Sequence, residues 1–193
     1  MVAQAELPTR YGRFTIYGFK GPGAQEEAVA LVRGELKTKT APLVRVHSQC
    51  LTGDVLTSLR CDCRAQLELS LKKIGQAPSG ILVYLPQEGR GIGLMNKLRA
   101  YQLQDGGMDT VEANEKLGFA ADARDYDFSA QILKKIGAKQ IRLLSNNPEK
   151  VRQLENSGIR VVERVPCQPR VSKISRGYLK TKKRKMGHLL KGI

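Results

Sequence analysis

Three of the four cysteines of this chain lie in one short segment, at Cys50, Cys61 and Cys63. Soft thiolates at this density favour zinc over hard cations such as magnesium. The spacing lacks the paired knuckles of a zinc finger, and three protein ligands leave one coordination position for water, as in catalytic zinc sites. The segment therefore predicts a zinc ion that activates water for a hydrolytic reaction.

Two other interpretations of the cysteines stay open. His47 precedes Cys50 closely enough to reach the metal, and either His47 or Cys167 could complete a closed, structural zinc site. His47 could equally act as a base or contact a substrate. The cysteines could also bind no metal. Cys167 stands alone, which is more typical of a half-buried bystander.

A glycine-rich segment, Gln87–Gly93, follows a short apolar run and precedes a helical pattern. Glycines let the backbone approach a ligand closely, helix N-termini favour phosphate, and Arg90 adds a bidentate phosphate donor. The spacing matches neither a Walker loop nor a dinucleotide-binding fingerprint. A tight strand-to-helix turn without a ligand explains the segment equally well.

Two later polar segments are also candidates. Asp122 and Arg124 lie two positions apart and could both point into a cleft. Residues of this kind more commonly form an ion pair on the surface. Ser145–Lys150 combines a strand end with a helix N-terminus, which favours a second phosphate-binding corner. An ordinary connection between a strand and a helix explains that segment too.

Apolar periodicity predicts the elements that must position these residues. Strands are predicted over Arg13–Phe19, Ala28–Val32, Leu43–Val46, Ile81–Leu85, Ile141–Leu144 and Ile159–Val162, with a turn-prone segment at Lys37–Pro42. Helices are predicted from Gln66 to Ile74, from Leu94 to Tyr101, around Ile132–Ile136 and after Asn147-Pro148, an N-cap followed by proline. The first third is expected to be antiparallel.

These elements predict a mixed α/β (α+β) fold. We expect a single compact domain with a β-rich N-terminal part, followed by alternating helices and strands and a flexible basic C-terminal tail. The expected boundaries are 1–170 for the catalytic domain and 171–193 for the tail. Lys and Arg number 33 against 18 Asp and Glu, for a net charge of +15. Such a field attracts nucleic acid, anionic lipid or a polyphosphate substrate.

The N-terminal residues lack the apolar run of a secretory signal, and no stretch is apolar for long enough to cross a bilayer. We therefore expect a cytoplasmic protein, in which four cysteines argue against a disulfide framework.

Several segments, in this order along the chain, resemble GTP cyclohydrolase II. They are Arg45–Asp54, Cys61–Cys63, Gln87–Leu94, Asp109–Asn114, Asn146–Pro148 and Lys185–His188, and the resemblance runs from about Leu7 to Leu190. That family converts GTP to a diaminopyrimidinone ribosyl phosphate, releasing formate and pyrophosphate, and opens riboflavin biosynthesis. The resemblance implies a zinc enzyme that also needs magnesium, takes GTP as substrate and forms a homodimer. It implies no nucleic-acid or membrane partner.

The resemblance also implies roles for individual residues. The zinc ligands match Cys50, Cys61 and Cys63. The GTP contacts match Arg45, Val46, His47, Ser48, Gln49, Gln66, Glu88, Gly89, Arg90, Thr110, Ser145 and Lys150. Tyr101 matches a tyrosine implicated in catalysis, Asp122 a proton acceptor and Arg124 a nucleophile. A guanidinium stays protonated and has no free lone pair, so we expect Arg124 to clamp phosphate, with Asp122 orienting it or accepting a proton from water.

The chain departs from the family pattern at three positions. Gln49 stands where glutamate is usual, Arg64 replaces a glycine, and Ser145 replaces a common threonine while keeping the hydroxyl. If the glycine at position 64 needs a positive φ, Arg64 carries strain. Two alternatives to an active cyclohydrolase follow: a basic, zinc-containing nucleic-acid-binding protein, or a catalytically impaired relative. An aromatic content of 5% argues against the first.

Overall fold

The chain folds into two compact units, each built from three separate segments. The computed structural model describes residues 1–21, 23, 26–36, 40–171 and 174–193. The first unit consists of Met1–His47, Leu67–Pro86 and Asp125–Cys167, and the second of Ser48–Gln66, Gln87–Arg124 and Gln168–Ile193. Of the turn-prone segment expected at Lys37–Pro42, residues 37–39 lie outside the described residues.

A seven-stranded mixed sheet forms the first unit, in the order β1-β2-β3-β5-β4-β6-β7. The strands are β1 (Ala3–Thr9), β2 (Gly12–Lys20), β3 (Glu27–Arg33), β4 (Leu43–Ser48), β5 (Gly80–Leu85), β6 (Gln140–Leu144) and β7 (Arg160–Val165). The pairs β1 with β2, β2 with β3 and β3 with β5 are antiparallel. The pairs β4 with β6 and β6 with β7 are parallel. The antiparallel arrangement expected for the first third is therefore confirmed for β1 to β3.

Six α-helices accompany the sheet in the described residues. They are α1 (Cys63–Gln76), α2 (Leu94–Asp105), α3 (Thr110–Lys116), α4 (Asp127–Lys135), α5 (Pro148–Asn156) and α6 (Arg176–Met186). Helix α5 begins as its sequence predicts: Asn147 caps it by accepting the Glu149 N–H at 3.0 Å, and Pro148 occupies the first turn. Within the described residues, no helix is both long and apolar enough to span a bilayer.

Apolar residues cover both faces of the sheet. On β5, Ile81 and Val83 belong to the larger core, which includes Leu133 of α4, whereas Leu82 belongs to a second core with Ile74 of α1. Successive side chains of a strand point to opposite faces. A strand buried on both faces must be apolar throughout, which accounts for the continuous run at 81–85.

The mixed α/β class is confirmed, and three elements were not predicted. Strand β1 is an exposed edge strand with little apolar content. Helix α3 begins with a capping box, in which Asp109 and Glu112 satisfy each other's backbone N–H groups. Helix α6 occupies the segment where we expected a flexible tail. The proposed boundary between 1–170 and 171–193 stays a prediction.

Candidate active site

The three clustered cysteines converge in the second unit. Cys50 lies between β4 and a short π-helical turn, Leu51–Val55, while Cys61 and Cys63 lie at the start of α1. Their sulfur atoms all lie within 4.8 Å of one another, and Cys50 Sγ is 3.8 Å from Cys61 Sγ. Two ligands at the usual Zn–S distance of about 2.3 Å in a tetrahedron are separated by about 3.8 Å. The thiols therefore fit a metal of zinc's size.

The cluster brings together three cysteines and neither of the two residues considered as a fourth ligand, His47 and Cys167. In the part of the chain that the structure describes, it is the one group of three or more His, Cys, Asp or Glu side chains placed to hold a metal, and it contains neither His47 nor Cys167. His47 stacks on Tyr84 with ring centroids 5.5 Å apart. Cys167 is fully buried, with its sulfur 3.4 Å from Ser70 Oγ.

Gly53 lets the π-helical turn pass close to the sulfur atoms. A Cβ added at this position would lie 2.8 Å from Cys61 Sγ and 3.1 Å from Cys50 Sγ. Carbon atoms pack without strain at about 3.5–4.0 Å, and sulfur is larger than carbon. A side chain at position 53 would therefore displace the sulfur atoms of Cys61 and Cys50.

The three thiols have different pKa values because they lie close enough to hydrogen-bond to one another. The thiols of Cys61 and Cys63 hydrogen-bond to the Cys50 sulfur and, with the nearby Lys97 ammonium, hold the pKa of Cys50 far below its ordinary value despite burial. The hydrogen bond of Cys61 to Cys50 raises the pKa of Cys61 to about 11, and the hydrogen bond of Cys63 to Cys50 raises the pKa of Cys63. One thiolate and two protonated thiols result, so a thiophilic cation would displace the remaining protons.

A buried ion pair lies against the cluster. Lys97 Nζ donates to Glu88 Oε1 at 2.7 Å, to Cys50 Sγ at 3.2 Å and to Thr52 Oγ1 at 2.8 Å. Glu88 also accepts the Leu51 N–H at 2.6 Å. Burial alone would lower the pKa of Lys97, but Glu88 and the Cys50 thiolate outweigh it and raise the pKa. The ammonium is therefore a permanent charge beside a candidate metal ligand.

Lys97 is a candidate functional residue that the sequence did not single out. The available signal was a lysine on the helical face shared by Leu94 and Tyr101, since a charge among apolar positions of a helix needs a partner.

Tyr101 reaches the same region from α2. Its hydroxyl is 3.2 Å from Thr52 Oγ1, and the Arg60 guanidinium lies 4.7 Å from its ring centroid. Burial raises the pKa of Tyr101. The phenol therefore keeps its proton at neutral pH and can donate it or a hydrogen bond.

Asp122 and Arg124 form a bidentate pair. Arg124 Nε donates to Asp122 Oδ1 at 2.7 Å, and Nη2 donates to Oδ2 at 2.5 Å. Burial would raise the pKa of Asp122, but the hydrogen bonds and charge of Arg124 outweigh it and lower the pKa. In this arrangement the carboxylate is ionised and is a weak proton acceptor at neutral pH.

Arg90 is held in an unusual backbone conformation. It has φ 63° and ψ 35°, and Gly89 before it has φ 62°. A left-handed non-glycine residue is uncommon and points to a functional constraint. Arg90 Nη1 donates to Ala121 O at 3.2 Å, while Nη2 is buried and, within the described residues, has no hydrogen-bond partner. The unsatisfied donor suits an anion.

Five of the predicted substrate contacts lie in the first unit. Arg45, Val46 and His47 lie on β4, whereas Ser145 and Lys150 follow the adjacent parallel strand β6. Arg45 Nη1 donates to Leu144 O at 3.0 Å, Lys150 Nζ donates to Val46 O at 2.7 Å, and Ser145 Oγ accepts the Asn147 N–H at 3.1 Å. The carboxyl ends of neighbouring parallel strands form a common place for ligands.

The other predicted contacts lie in the second unit. Ser48 Oγ donates to Gln87 Oε1 at 2.9 Å, and Gln49 is half-buried. Gln66 donates to Asp62, and Thr110 is the first residue of α3.

Arg64 carries no backbone strain. It lies in the first turn of α1, and among the described non-glycine residues only Thr57 and Arg90 have positive φ. Arg64 Nη1 donates to Asp54 O at 3.0 Å. The departure from glycine is therefore accommodated by the helix.

Comparison with known proteins identifies the family. The sequence profile of GTP cyclohydrolase II matches residues 1–166. The GTP cyclohydrolase-2 of Buchnera aphidicola is 54% identical over 190 residues, covering 98% of both chains. That of Shewanella sediminis is 52% identical, covering 98% of this chain and 92% of its own. The riboflavin biosynthesis protein RibBA of Endomicrobium trichonymphae is 51% identical over all of this chain but only 48% of its own length. The chain therefore belongs to the GTP cyclohydrolase II family of hydrolases.

Proposed function

We propose that this protein hydrolyses GTP at C8 of the guanine ring, releasing formate and pyrophosphate. The product would be 2,5-diamino-6-ribosylaminopyrimidinone 5′-phosphate, and the reaction would be the first step of riboflavin biosynthesis. The observation that carries the proposal is the cluster of Cys50, Cys61 and Cys63 at zinc-ligand spacing, in a chain of this family. Zinc held there would act as a Lewis acid and ionise water near neutral pH.

The reaction hydrolyses two kinds of bond: carbon–nitrogen bonds at C8 of guanine and the bond to the α-phosphorus. One water adds at C8 and opens the imidazole ring to a formamide, and a second hydrolyses the formamide to formate. A third water cleaves the bond to the α-phosphorus, with pyrophosphate as the leaving group. Tyr101, which keeps its proton, is placed beside Thr52 near the thiols and would donate that proton to a ring nitrogen.

Glu88 and Lys97 would hold the metal ligands in place. The carboxylate binds the backbone N–H of Leu51 and the ammonium of Lys97, and the ammonium binds the Cys50 sulfur. This network links the glycine-rich segment to the metal ligands. Hydrogen bonds of this kind orient ligands and tune metal sites.

The triphosphate would be bound by the basic residues. The net charge of +15 favours a ligand with about four negative charges, and magnesium would bind through the phosphate oxygens. We propose that Arg90 binds phosphate through its unsatisfied Nη2. The remaining proposed GTP contacts are Arg45, Val46, His47, Ser48, Gln49, Gln66, Glu88, Gly89, Thr110, Ser145 and Lys150.

Arg124 would clamp the α-phosphate during pyrophosphate release. Its guanidinium remains charged at any ordinary pH and offers a planar fork of donors, which suits phosphate binding and not nucleophilic attack. Asp122 holds that fork in a fixed orientation through two hydrogen bonds. Positioning and charge stabilisation dominate phosphoryl transfer, so a clamp of this kind is sufficient. We further propose a cytoplasmic homodimer without nucleic-acid or membrane partners.

One experiment tests the proposal directly. The purified protein is incubated with GTP, Mg²⁺ and Zn²⁺, and formate and pyrophosphate are assayed separately. Cys61→Ser is expected to abolish zinc binding and formate release while pyrophosphate release continues, and Cys167→Ser, which lies outside the cluster, serves as the control. Loss of both products from a folded Cys61→Ser protein would show that the two steps are coupled. Salt-sensitive binding of DNA or RNA without GTP turnover would instead favour a nucleic-acid-binding function.

A further inference from the structure

Helix α6 lies beyond the residues matched by the family profile, which end at 166. It nevertheless belongs to the same compact unit as the three clustered cysteines. Ser175, Leu179 and Lys182, which share one helical face, are buried, whereas Lys180 and Lys183 are exposed. A lysine is almost never fully buried without a partner, so the buried position of Lys182 needs an explanation.

The partner of Lys182 is the residue between two of the thiols. Lys182 Nζ donates to Asp62 Oδ1 at 3.0 Å, with side-chain exposures of 10% and 6%. The other oxygen of Asp62 accepts a hydrogen bond from Gln66. Both oxygens of this carboxylate are therefore bound, and the segment from Cys61 to Cys63 is held through the side chain at its centre.

We propose that Lys182 is a positioning residue for the metal site. It acts through Asp62, whose location decides where Cys61 and Cys63 present their sulfur atoms. This inference rests on the proposed zinc site. The hydrogen bond of Lys182 goes to Asp62, so its proposed effect on the thiols is indirect.

A second set of contacts holds α6 in this position. The Tyr178 ring, one turn before Lys182, lies 4.4 Å from the Lys182 ammonium and 5.8 Å from the Arg90 guanidinium. At the other end of the helix, Lys185 pairs with Asp109 at 2.5 Å and with Glu112 at 2.9 Å. The helix therefore contacts both the cysteine segment and the proposed phosphate donor, and its basic residues are more than a solvated tail.

Zinc affinity tests the role of Lys182. Competition with a chromophoric chelator measures Zn²⁺ binding, and the absorption of bound Co²⁺ reports the ligand geometry. Lys182→Met is expected to weaken zinc binding about tenfold or more, as loss of a group that supports metal ligands does. Lys180→Met, on the exposed face of the same helix, is the matched control and should change affinity by less than about twofold. Lys182→Arg keeps the charge and should restore most of the affinity.

A double variant separates positioning from simple charge balance. Asp62→Asn with Lys182→Met removes both charges, so it should regain folding stability relative to Lys182→Met alone while zinc binding stays weak. If Lys182→Met alone fails to fold, the zinc affinity of the double variant relative to wild type tests the role of Lys182 instead.

Wild-type affinity in the double variant, or equal affinity in Lys182→Met and the Lys180→Met control, would overturn the role of Lys182. If the wild-type protein bound no stoichiometric zinc, the proposed metal site would be wrong and this inference would fall with it.

Discussion

Removal of the Lys97 ammonium should destabilise both the fold and the metal site. In Lys97→Met the Glu88 carboxylate and the Cys50 sulfur lose a cation that lies 2.7 Å and 3.2 Å away. Loss of one partner from a buried ion pair costs about 3–5 kcal/mol. The N–H groups of Leu51 and Gly89 still satisfy Glu88, at 2.6 Å and 2.9 Å, so we expect the lower end of that range.

Thermal unfolding and chelator competition measure the two effects. A loss of about 3 kcal/mol corresponds to a fall in Tm of about 6–12 °C at about 2–4 °C per kcal/mol for a chain of this size. The scans are run without metal, since zinc itself would shift the Tm. Zinc affinity should fall about tenfold to a hundredfold. Because the pKa of Lys97 is raised, its contribution persists up to at least the ordinary lysine value of about 10.4 and is lost only above that.

Arg99→Met, at an exposed position of the same helix, is the control for Lys97→Met. An unchanged zinc affinity together with a Tm within about 2 °C of wild type would refute the reasoning, because that shift is less than about 1 kcal/mol. The charges around Glu88 and Cys50 would then be balanced in some other way.

Three further variants test other parts of the site. Gly53→Ala should weaken zinc binding by about tenfold in chelator competition, since its Cβ would meet the sulfur atoms of Cys61 and Cys50, and wild-type affinity would contradict the crowding. The pKa of Asp122 is lowered, so the stability that it contributes is present above its unfolded pKa of about 3.9 and is lost as the pH falls through the folded value. The stability difference between wild type and Asp122→Asn, from denaturant unfolding, should therefore shrink with acidification; a constant difference would exclude the ion pair. Arg124→Lys keeps the charge but loses the fork, so pyrophosphate release should fall about tenfold to a hundredfold without vanishing, while a phosphoramidate trapped on wild-type Arg124 and seen by mass spectrometry would make it the nucleophile.

Local sequence signals predicted most of the elements. The apolar run of β5, the N-cap and proline of α5 and the periodicity of α2 and α4 all depend on nearby residues, and each element forms where it was expected. Strand β1 was not predicted, because an exposed edge strand needs little apolar sequence. Helix α3 was also not predicted, although Asp109 and Glu112 form a recognisable capping box.

Helix α6 shows why composition alone misleads. Its residues are basic and polar, which is typical of a solvated tail. The helix is stabilised by contacts that no local pattern reveals, among them the pairing of Lys182 with Asp62, 120 residues earlier in the chain. Helical stability in proteins comes mostly from packing and not from propensity, so such a segment can be assigned only when its partners are known.

The sequence by itself predicted the three candidate sulfur ligands, because Cys50, Cys61 and Cys63 lie close together in the chain and thiolates favour a soft metal. Only the tertiary structure decided which charges surround them. Lys97 reaches Cys50 across 47 residues, and Lys182 reaches Asp62 across 120. Burial makes each of these charges costly unless it is paired, and pairing over such separations depends on how the helices pack. Spacing in the sequence thus predicts the candidate ligands, while packing decides which charged side chains surround them.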